Sequence, residues 1–161
     1  MNKILLVNGP NLNLLGKRQV SIYGTQTLED IILNLKKYLS SSDQLVSFQN
    51  NIEGEIVNFL NSEYLDSIEN KTKIAGIIIN PAAYTHTSIA IRDALEVFQS
   101  SQSSNFQDAK VKIYEVHLSN IFKREDFRHK SYISSLADGV ISGLGAFGYE
   151  AALQKILRGD K

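Results

Sequence analysis

Residues 74–81 read Ile-Ala-Gly-Ile-Ile-Ile-Asn-Pro, and this stretch decides the fold of the chain. The first six residues are apolar apart from one glycine, and most are β-branched. Such continuous runs are typical of a strand that is buried on both faces. Asn80-Pro81 ends the run, since proline has no amide hydrogen to donate to a sheet. A strand of this kind belongs to a sheet that helices cover on both sides.

Segments on either side of this strand alternate between strand and helix patterns. The predicted strands are residues 4–7, 45–48, 74–79, 111–116 and 139–141. Helical spacing of apolar residues follows them, and the first helix opens with a capping-box pattern from Thr27 to Asp30. The alternation predicts an α/β fold: a flavodoxin-like, doubly wound sheet of five parallel strands in the order 2-1-3-4-5, with helices on both faces. We expect residues 1–161 to form a single catalytic domain.

The composition excludes several classes of function. The 161 residues contain no cysteine, which excludes disulfide scaffolds, thiolate metal sites and cysteine nucleophiles. Seventeen basic and 17 acidic residues balance, so no global charge favours nucleic acid or an anionic membrane. The longest apolar run is too short to span a bilayer, and no secretory signal is evident. We therefore expect a cytoplasmic protein without membrane or nucleic-acid partners.

The connection after the first strand is long. In an open parallel sheet, ligands bind beyond the carboxyl ends of the strands, so this position matters. The connection runs from residue 8 to residue 26, whereas most such loops take about two to six residues. Gly16 and Gly24 flank Arg18 and Tyr23, an arrangement that fits either an ordinary turn or, as we favour, a lid with permissive backbone at both ends.

Polar residues also follow the third strand. The segment from Asn80 to Ser88 contains His86, which is equally consistent with a structural and a functional role. Thr85 or Thr87 is expected to cap the helix that begins here.

The fourth strand ends in a carboxylate and a histidine. Glu115 and His117 are two residues apart, so in a strand they point to the same face. A carboxylate in that position orients the histidine and holds it protonated, as general acid–base chemistry requires. Arg124 and Arg128 follow four residues apart, on one face if the segment is helical. They suggest an anionic substrate.

Residues 143–148 match G-x-G-x-x-G, a dinucleotide-binding pattern. The motif follows the last predicted strand, so no later strand can carry the ribose-binding acid that belongs to such a site. We interpret these glycines as a place of close strand–helix packing.

Several motifs run nearly end to end along the chain. They are Asn8-Gly-Pro-Asn-Leu-Asn-Leu-Leu-Gly-Lys-Arg18 with Tyr23-Gly24, Asn80-Pro81 with Tyr84-Thr-His-Thr-Ser88, Arg92-Asp-Ala94, Glu115-Val-His-Leu-Ser-Asn120, Arg124-Glu-Asp-Phe-Arg128, Gly143-Leu-Gly145 and Gly148-Tyr149. Together these motifs resemble type II 3-dehydroquinate dehydratase, a small flavodoxin-like enzyme of the shikimate or quinate pathway.

The resemblance implies a reaction and an assembly. It implies anti elimination of water from 3-dehydroquinate through an enolate, giving 3-dehydroshikimate on the route to chorismate and aromatic amino acids. The reaction needs no cofactor, no metal and no Schiff base. Members of the family are dodecamers built from trimers, so the resemblance implies a homo-oligomer.

Roles for individual residues follow from the same resemblance. Tyr23 would be the base and Arg18 would lower its pKa, while Asn11, with backbone near Pro10 and Ala83, would hold a water at the enolate oxygen. His117 would be the acid, with Glu115 behind it. The substrate-binding residues would be Asn80, His86, Arg128 and the backbone amides of Leu118 and Ser119, with Asp93 reaching a neighbouring subunit's site and Arg124 adding positive potential near Tyr23.

The sequence departs from the family pattern at three places. Gln19-Val20 stands where Glu-Pro or a similar pair is expected, and Ala82 stands where glycine is commoner, which would restrict that turn. Residues 99–108 form a polar stretch that looks like an insertion. None of these departures removes a catalytic side chain.

Three other functions compete with this interpretation. An FMN-binding module would need a hydroxyl-rich phosphate loop after the first strand, where this chain has Asn and Pro. A phosphoacceptor signalling domain would need clustered aspartates there. A Schiff-base dehydratase would need a lysine in the site, and Lys17 and Lys123 lie in loops that look exposed.

Overall fold

The chain forms one five-stranded sheet in its computed structural model, which describes residues 2–17, 25–99 and 110–159. The strands are β1 (Asn2–Asn8), β2 (Asp43–Gln49), β3 (Lys73–Asn80), β4 (Lys112–His117) and β5 (Gly139–Ser142). The helices are α1 (Leu28–Lys36), α2 (Glu53–Glu69), α3 (Ile89–Glu96) and α4 (Phe147–Arg158). Within these described ranges, no helix is both long and apolar enough to cross a bilayer.

All strand pairs are parallel, and the order is β2-β1-β3-β4-β5. This confirms the predicted flavodoxin-like topology. The chain moves outward from β1 to β2 and then returns to place β3 on the other side of β1. The loops after β1 and β3 therefore leave in opposite directions and open a crevice at the carboxyl ends of the strands.

Two apolar layers hold the helices onto the sheet. In β1, Leu5 and Val7 face one layer, together with side chains of α2 and α3. Ile4 and Leu6 face the other layer, which contains residues of α1 and α4. Alternate residues of a strand point to opposite faces, so a strand in the middle of a two-layered sheet must be apolar throughout. This is the pattern that the opening stretch of isoleucines indicated.

The helix starts confirm one prediction and correct another. Thr27 and Asp30 form the expected capping box at the start of α1. At α3 the cap is Ser88, whose hydroxyl accepts the amide hydrogen of Ile91 at 2.8 Å. The expected caps, Thr85 and Thr87, were wrong because a short 3₁₀ turn at Ala82–His86 precedes the helix and moves its start forward.

Close packing explains part of the glycine-rich motif. A Cβ on Gly148 would lie 3.2 Å from side-chain carbons of Ile141 and Val116, so α4 can approach the sheet because this residue has no side chain. The interpretation of the motif as a packing feature is confirmed at this position.

Two sequence features fall largely outside the described residues. Arg18 and Tyr23, which were predicted to belong to a lid, are outside the described ranges. A Cβ on Gly16 would lie 2.6 Å from the carbonyl oxygen of Thr25. Most of the polar stretch 99–108 also lies outside the described residues. Of the described residues next to it, Val111 donates its amide hydrogen to the carbonyl of Phe98 at 3.3 Å.

Ala82 has a φ of 52°, in the left-handed region. That conformation costs an L-residue roughly 1–2 kcal/mol, which glycine does not pay. Replacing Ala82 with glycine is therefore expected to raise the free energy of unfolding by about 0.5–1 kcal/mol, since the freedom of glycine in the unfolded chain offsets part of the gain. The matched control is Ala83→Gly, because Ala83 does not have a positive φ. This substitution should lower the free energy of unfolding by about 0.4–1 kcal/mol. Urea denaturation measures both, and a loss of stability in both variants would contradict the argument.

Candidate active site

A cavity of about 290 Å³ lies at the carboxyl ends of β1, β3 and β4. Three connections form its walls: the loop after β1, the 3₁₀ turn after β3 and the segment after β4. The lining residues are Pro10, Asn11, Leu12, Leu15, Asn80, Ala82, Ala83, His86, His117, Leu118, Ser119, Ile121, Arg124 and Arg128. The cavity is thus polar on most sides, with a few apolar side chains that suit the face of a small ring.

Most of the predicted site residues meet in this cavity. Those that line it are Asn11, Asn80, His86, His117, Leu118, Ser119, Arg124 and Arg128. Glu115 lies behind His117. Asp93 does not line the cavity: it is exposed on α3 and pairs with Arg92 at 3.1 Å. Arg18 and Tyr23 lie outside the described residues.

The pair predicted at the end of β4 has the expected geometry. Nε2 of His117 lies 2.8 Å from Oε1 of Glu115. Both side chains are buried, and Glu115 is 0% exposed. Burial alone would raise the pKa of Glu115, but hydrogen bonds from His117, Ser134 and Thr85 outweigh it and hold that pKa below its usual value. Glu115 is therefore an anion that orients the imidazole through their hydrogen bond.

Three hydroxyl groups around Glu115 were missed by the sequence analysis. Thr85 and Ser134 each donate a short hydrogen bond to its carboxylate, and Ser131 donates to Oε1 at 2.9 Å. Thr85 was considered only as a helix cap, and nothing in the local pattern around the two serines points to Glu115. These residues lie 16 to 30 positions from Glu115 in the chain, so only the tertiary structure brings them together.

Replacing Glu115 with glutamine is expected to lower the free energy of unfolding by about 2–3 kcal/mol at neutral pH. Glutamine turns one acceptor oxygen into an NH₂ donor that faces hydroxyl donors. Because the pKa of Glu115 is depressed in the folded chain, its carboxylate stabilises the fold above the unfolded pKa of about 4.3, and this contribution is lost as pH falls through the folded pKa. The gap between wild type and variant should therefore narrow below about pH 4.

Urea unfolding at neutral and acidic pH measures this gap. The control is Glu69→Gln at the exposed end of α2, where little change is expected. A gap that stays constant with pH would show that the charge of Glu115 does not contribute.

A buried amide–phenol chain fixes Asn80. Its Nδ2 donates to the hydroxyl of Tyr149 at 2.8 Å, and that hydroxyl donates to Oδ1 of Asn8 at 2.7 Å. Burial raises the pKa of Tyr149, so the phenol keeps its proton. Oδ1 of Asn80 accepts the amide hydrogen of Ala82 at 3.1 Å. These contacts fix the orientation of the side-chain amide of Asn80. The role of Tyr149 was not predicted from the sequence.

Replacing Tyr149 with phenylalanine is expected to lower the free energy of unfolding by about 1–3 kcal/mol, because the buried Oδ1 of Asn8 loses its donor. Tyr38→Phe is the control, since that half-exposed hydroxyl bonds to Glu150 away from the cavity. Thermal and urea unfolding measure both variants. Equal stability of Tyr149→Phe and wild type would mean that Asn8 finds another partner.

Asn11 is held in place by the loop after β2. Its backbone is left-handed, with φ of 67°, and its amide donates to Oδ1 of Asn51 at 2.9 Å. Nε2 of Gln49 donates to the same oxygen, and the hydroxyl of Tyr84 donates to the backbone carbonyl of Asn51. The rim of the cavity at Asn11 is thereby tied to the ends of β2 and β3.

The two arginines reach the cavity from a segment that is not a helix. Two short 3₁₀ turns, Ile121–Lys123 and Asp126–Arg128, follow β4, so the condition under which the two arginines would share one helical face is not met. Nε of Arg128 pairs with Glu125 at 2.8 Å. Both arginines are partly buried and line the cavity, so two guanidinium groups border it.

His86 completes the polar lining as a neutral group. Nδ1 lies 2.7 Å from the backbone carbonyl of Lys130, which can only accept, so Nδ1 donates. Burial and the neighbouring charges of His117 and Arg128 lower the pKa of His86. Nε2 is then left as an acceptor suited to a substrate hydroxyl. Across the described ranges, no group of three or more His, Asp or Glu side chains is arranged to hold a metal ion.

Comparison with known proteins identifies relatives along nearly the whole chain. The family model described as dehydroquinase class II matches residues 2–157. A 3-dehydroquinate dehydratase from Nitrosomonas eutropha is 52% identical over 153 residues, which are 94% of this chain and 94% of that protein. One from Idiomarina loihiensis is 46% identical over 156 residues, covering 96% of this chain and 91% of that protein.

A solved structure gives the same result. The crystal structure of a type II dehydroquinase from Butyrivibrio crossotus matches with a TM-score of 0.81 and 39% identity, and the match covers 97% of each chain. The sequence matches and the fold agree with the motifs that frame the cavity, and they favour this family over an FMN-binding or phosphoacceptor module. The chain belongs to the class II dehydroquinase family.

Proposed function

We propose that this chain is a 3-dehydroquinate dehydratase, a hydro-lyase of the shikimate pathway that removes water from 3-dehydroquinate to give 3-dehydroshikimate. The activity is inferred from membership of the family. The observation that carries the site assignment is the buried Glu115–His117 pair, which faces the same cavity as Asn80, His86 and Arg128. A proton donor, ring-hydroxyl partners and a cation thus surround one space of the right size for a small cyclic acid.

The elimination needs a base and an acid on separate elements. Tyr23 takes the proton next to the ketone, and the electron pair moves into the ring as an enolate, which a water held by Asn11 stabilises. The carbon–oxygen bond then breaks as His117 gives its proton to the departing hydroxyl, which leaves as water. Arg18 favours the phenolate of Tyr23 and the developing negative charge.

Substrate binding uses residues that follow β3 and β4. Backbone amides of Leu118 and Ser119 and the side chain of Arg128 receive the carboxylate. Asn80 and neutral His86 bind ring hydroxyls, and Arg124 adds positive potential. Support comes from the position of all these residues in the lining of one cavity.

The assembly and location are part of the same proposal. The family resemblance supports a cytoplasmic homo-oligomer, a dodecamer of trimers, in which Asp93 reaches a neighbouring subunit's site. The exposed position of Asp93 outside its own cavity is consistent with that role. Light scattering of wild type measures the assembly, and mixing Asp93→Ala subunits with subunits inactive at His117 tests whether sites are shared.

The test of the function is turnover of 3-dehydroquinate, followed by the ultraviolet absorbance of the conjugated enone product, with and without borohydride. Turnover that survives borohydride supports the enolate route. Turnover lost to borohydride would point to a Schiff base on Lys17, Lys123 or another lysine. Absence of turnover would overturn the proposed activity.

A further inference from the structure

The carboxylate of Glu115 receives more hydrogen bonds than its role as a partner of His117 requires. Oε1 accepts from Thr85, from His117 at 2.8 Å and from Ser131 at 2.9 Å. Oε2 accepts from Ser134 and lies 3.2 Å from the hydroxyl of Ser131. Thr85, Ser131 and Ser134 are here called the hydroxyl cradle.

The hydroxyl of Ser131 can act only as a donor within the cradle. Its oxygen accepts the backbone amide hydrogens of Ile133 at 3.0 Å and Ser134 at 2.9 Å. A hydroxyl has two lone pairs and one hydrogen, so Ser131 can only donate, either to Oε1 of Glu115 at 2.9 Å or to the hydroxyl oxygen of Thr85 at 3.0 Å. The two backbone hydrogen bonds therefore fix the Ser131 hydroxyl as a donor.

The cradle is also tied to the cavity wall. The amide of Tyr132 donates to the carbonyl of Thr85 at 2.9 Å, and Nδ1 of His86 donates to Lys130 at 2.7 Å. The segment that carries the two serines is thus held against the turn that carries His86. This makes the cradle a rigid part of the site.

Four donors around one buried carboxylate favour its charged form. An ionised carboxylate only accepts and has about four lone-pair positions, which these donors fill. A protonated Glu115 could donate its hydrogen only if His117 or one of the hydroxyls changed from donor to acceptor, and the carboxylate would then lose that hydrogen bond. Within the Glu115–His117 pair, the shared proton then stays on the imidazole.

We infer that the hydroxyl cradle is a set of positioning residues for the elimination, because it holds the shared proton on His117 rather than on Glu115. The inference rests on the proposed role of His117 as the acid. During the reaction His117 gives one proton to the departing hydroxyl and becomes neutral imidazole, while Glu115 stays a carboxylate. The other charged or titratable groups in the described part of the site are His86, Arg124 and Arg128, which are unchanged in the variants below.

Steady-state kinetics of Ser134→Ala and Thr85→Val test the inference across pH. Each variant is expected to lower kcat about tenfold, the loss of one hydrogen bond to a charged group, with KM changed less. The loss should grow as pH rises, because an imidazolium that Glu115 stabilises less well gives up its proton earlier. Thr85→Ser should restore kcat. The controls are Ser135→Ala and Thr87→Val, exposed hydroxyl residues one and two positions away, which should behave as wild type.

Nitrogen NMR of the imidazole rings gives a readout that does not depend on turnover. The chain has only three histidines, so ¹⁵N-histidine spectra can be assigned by substitution. At a pH where His117 of the wild type is imidazolium, the cradle variants should show it partly neutral, and the controls should not. If Thr85→Val does not fold, Ser134→Ala alone carries the test, because its side chain is only partly buried.

The outcomes separate this inference from the proposed function. Unchanged imidazolium signals and unchanged kcat in the folded cradle variants would overturn the inference while leaving the activity intact. Retained turnover in a His117 variant would overturn the proposed role of His117, whereas altered imidazolium signals in the cradle variants would still support the cradle's effect on the proton.

Discussion

Replacing His117 with glutamine is expected to lower kcat by a factor of roughly 10²–10⁴, the usual contribution of general acid catalysis. Glutamine can still donate an amide hydrogen to Glu115 across the space that Nε2 of His117 occupies. The buried carboxylate therefore keeps a partner, and the fold is expected to survive. A glutamine side chain cannot give up a proton to a departing hydroxyl, so the chemical step slows.

The measurement is kcat across pH on protein whose circular dichroism matches wild type. The limb of the profile that reports the acid should disappear in His117→Gln. His129→Gln is the matched control, because His129 is exposed and does not line the cavity, and its kinetics should stay near those of wild type. A kcat within tenfold of wild type in His117→Gln would assign the acid to another group.

Replacing Tyr23 with phenylalanine is expected to cause a loss of similar size in kcat, because the variant has no phenol to take the proton next to the ketone. A free tyrosine has a pKa near 10 and is mostly protonated at neutral pH, so its use as a base requires a cation such as Arg18.

Substrate binding separates this role from a structural one. Tyr23→Phe should bind a non-reacting substrate analogue nearly as wild type does while turning over far more slowly. Tyr38→Phe is the control, since its hydroxyl contacts Glu150 between α1 and α4. Rapid turnover by Tyr23→Phe would remove this phenol from the mechanism.

The order of the strands and the position of the cavity could be predicted because both depend on local patterns. Continuous apolar runs separated by helical periodicity admit few arrangements, and right-handed crossovers reduce them further. Glu115 and His117 are another local case: the two-residue period of a strand places them on one face whatever surrounds them.

Elements whose form depends on distant contacts could not be predicted. The segment that carries Arg124 and Arg128 has helical spacing of charges, yet it folds as two 3₁₀ turns. Thr85 is of a residue type that often caps helices, but its hydroxyl donates to Glu115 instead. Ser88 is the residue that caps α3. A hydroxyl group forms a hydrogen bond with whichever polar group the fold brings near. The residues next to it in the sequence do not determine which group that is.

The sequence by itself determined the family, the doubly wound sheet and many of the residues that line the cavity, because periodicity and motifs act over a few positions at a time. The tertiary structure decided how those residues are held. Tyr149 meets Asn8 across 141 positions, and three hydroxyls from two segments enclose Glu115. A buried polar group must find its partners inside the fold, and only the packed chain determines which ones lie within reach.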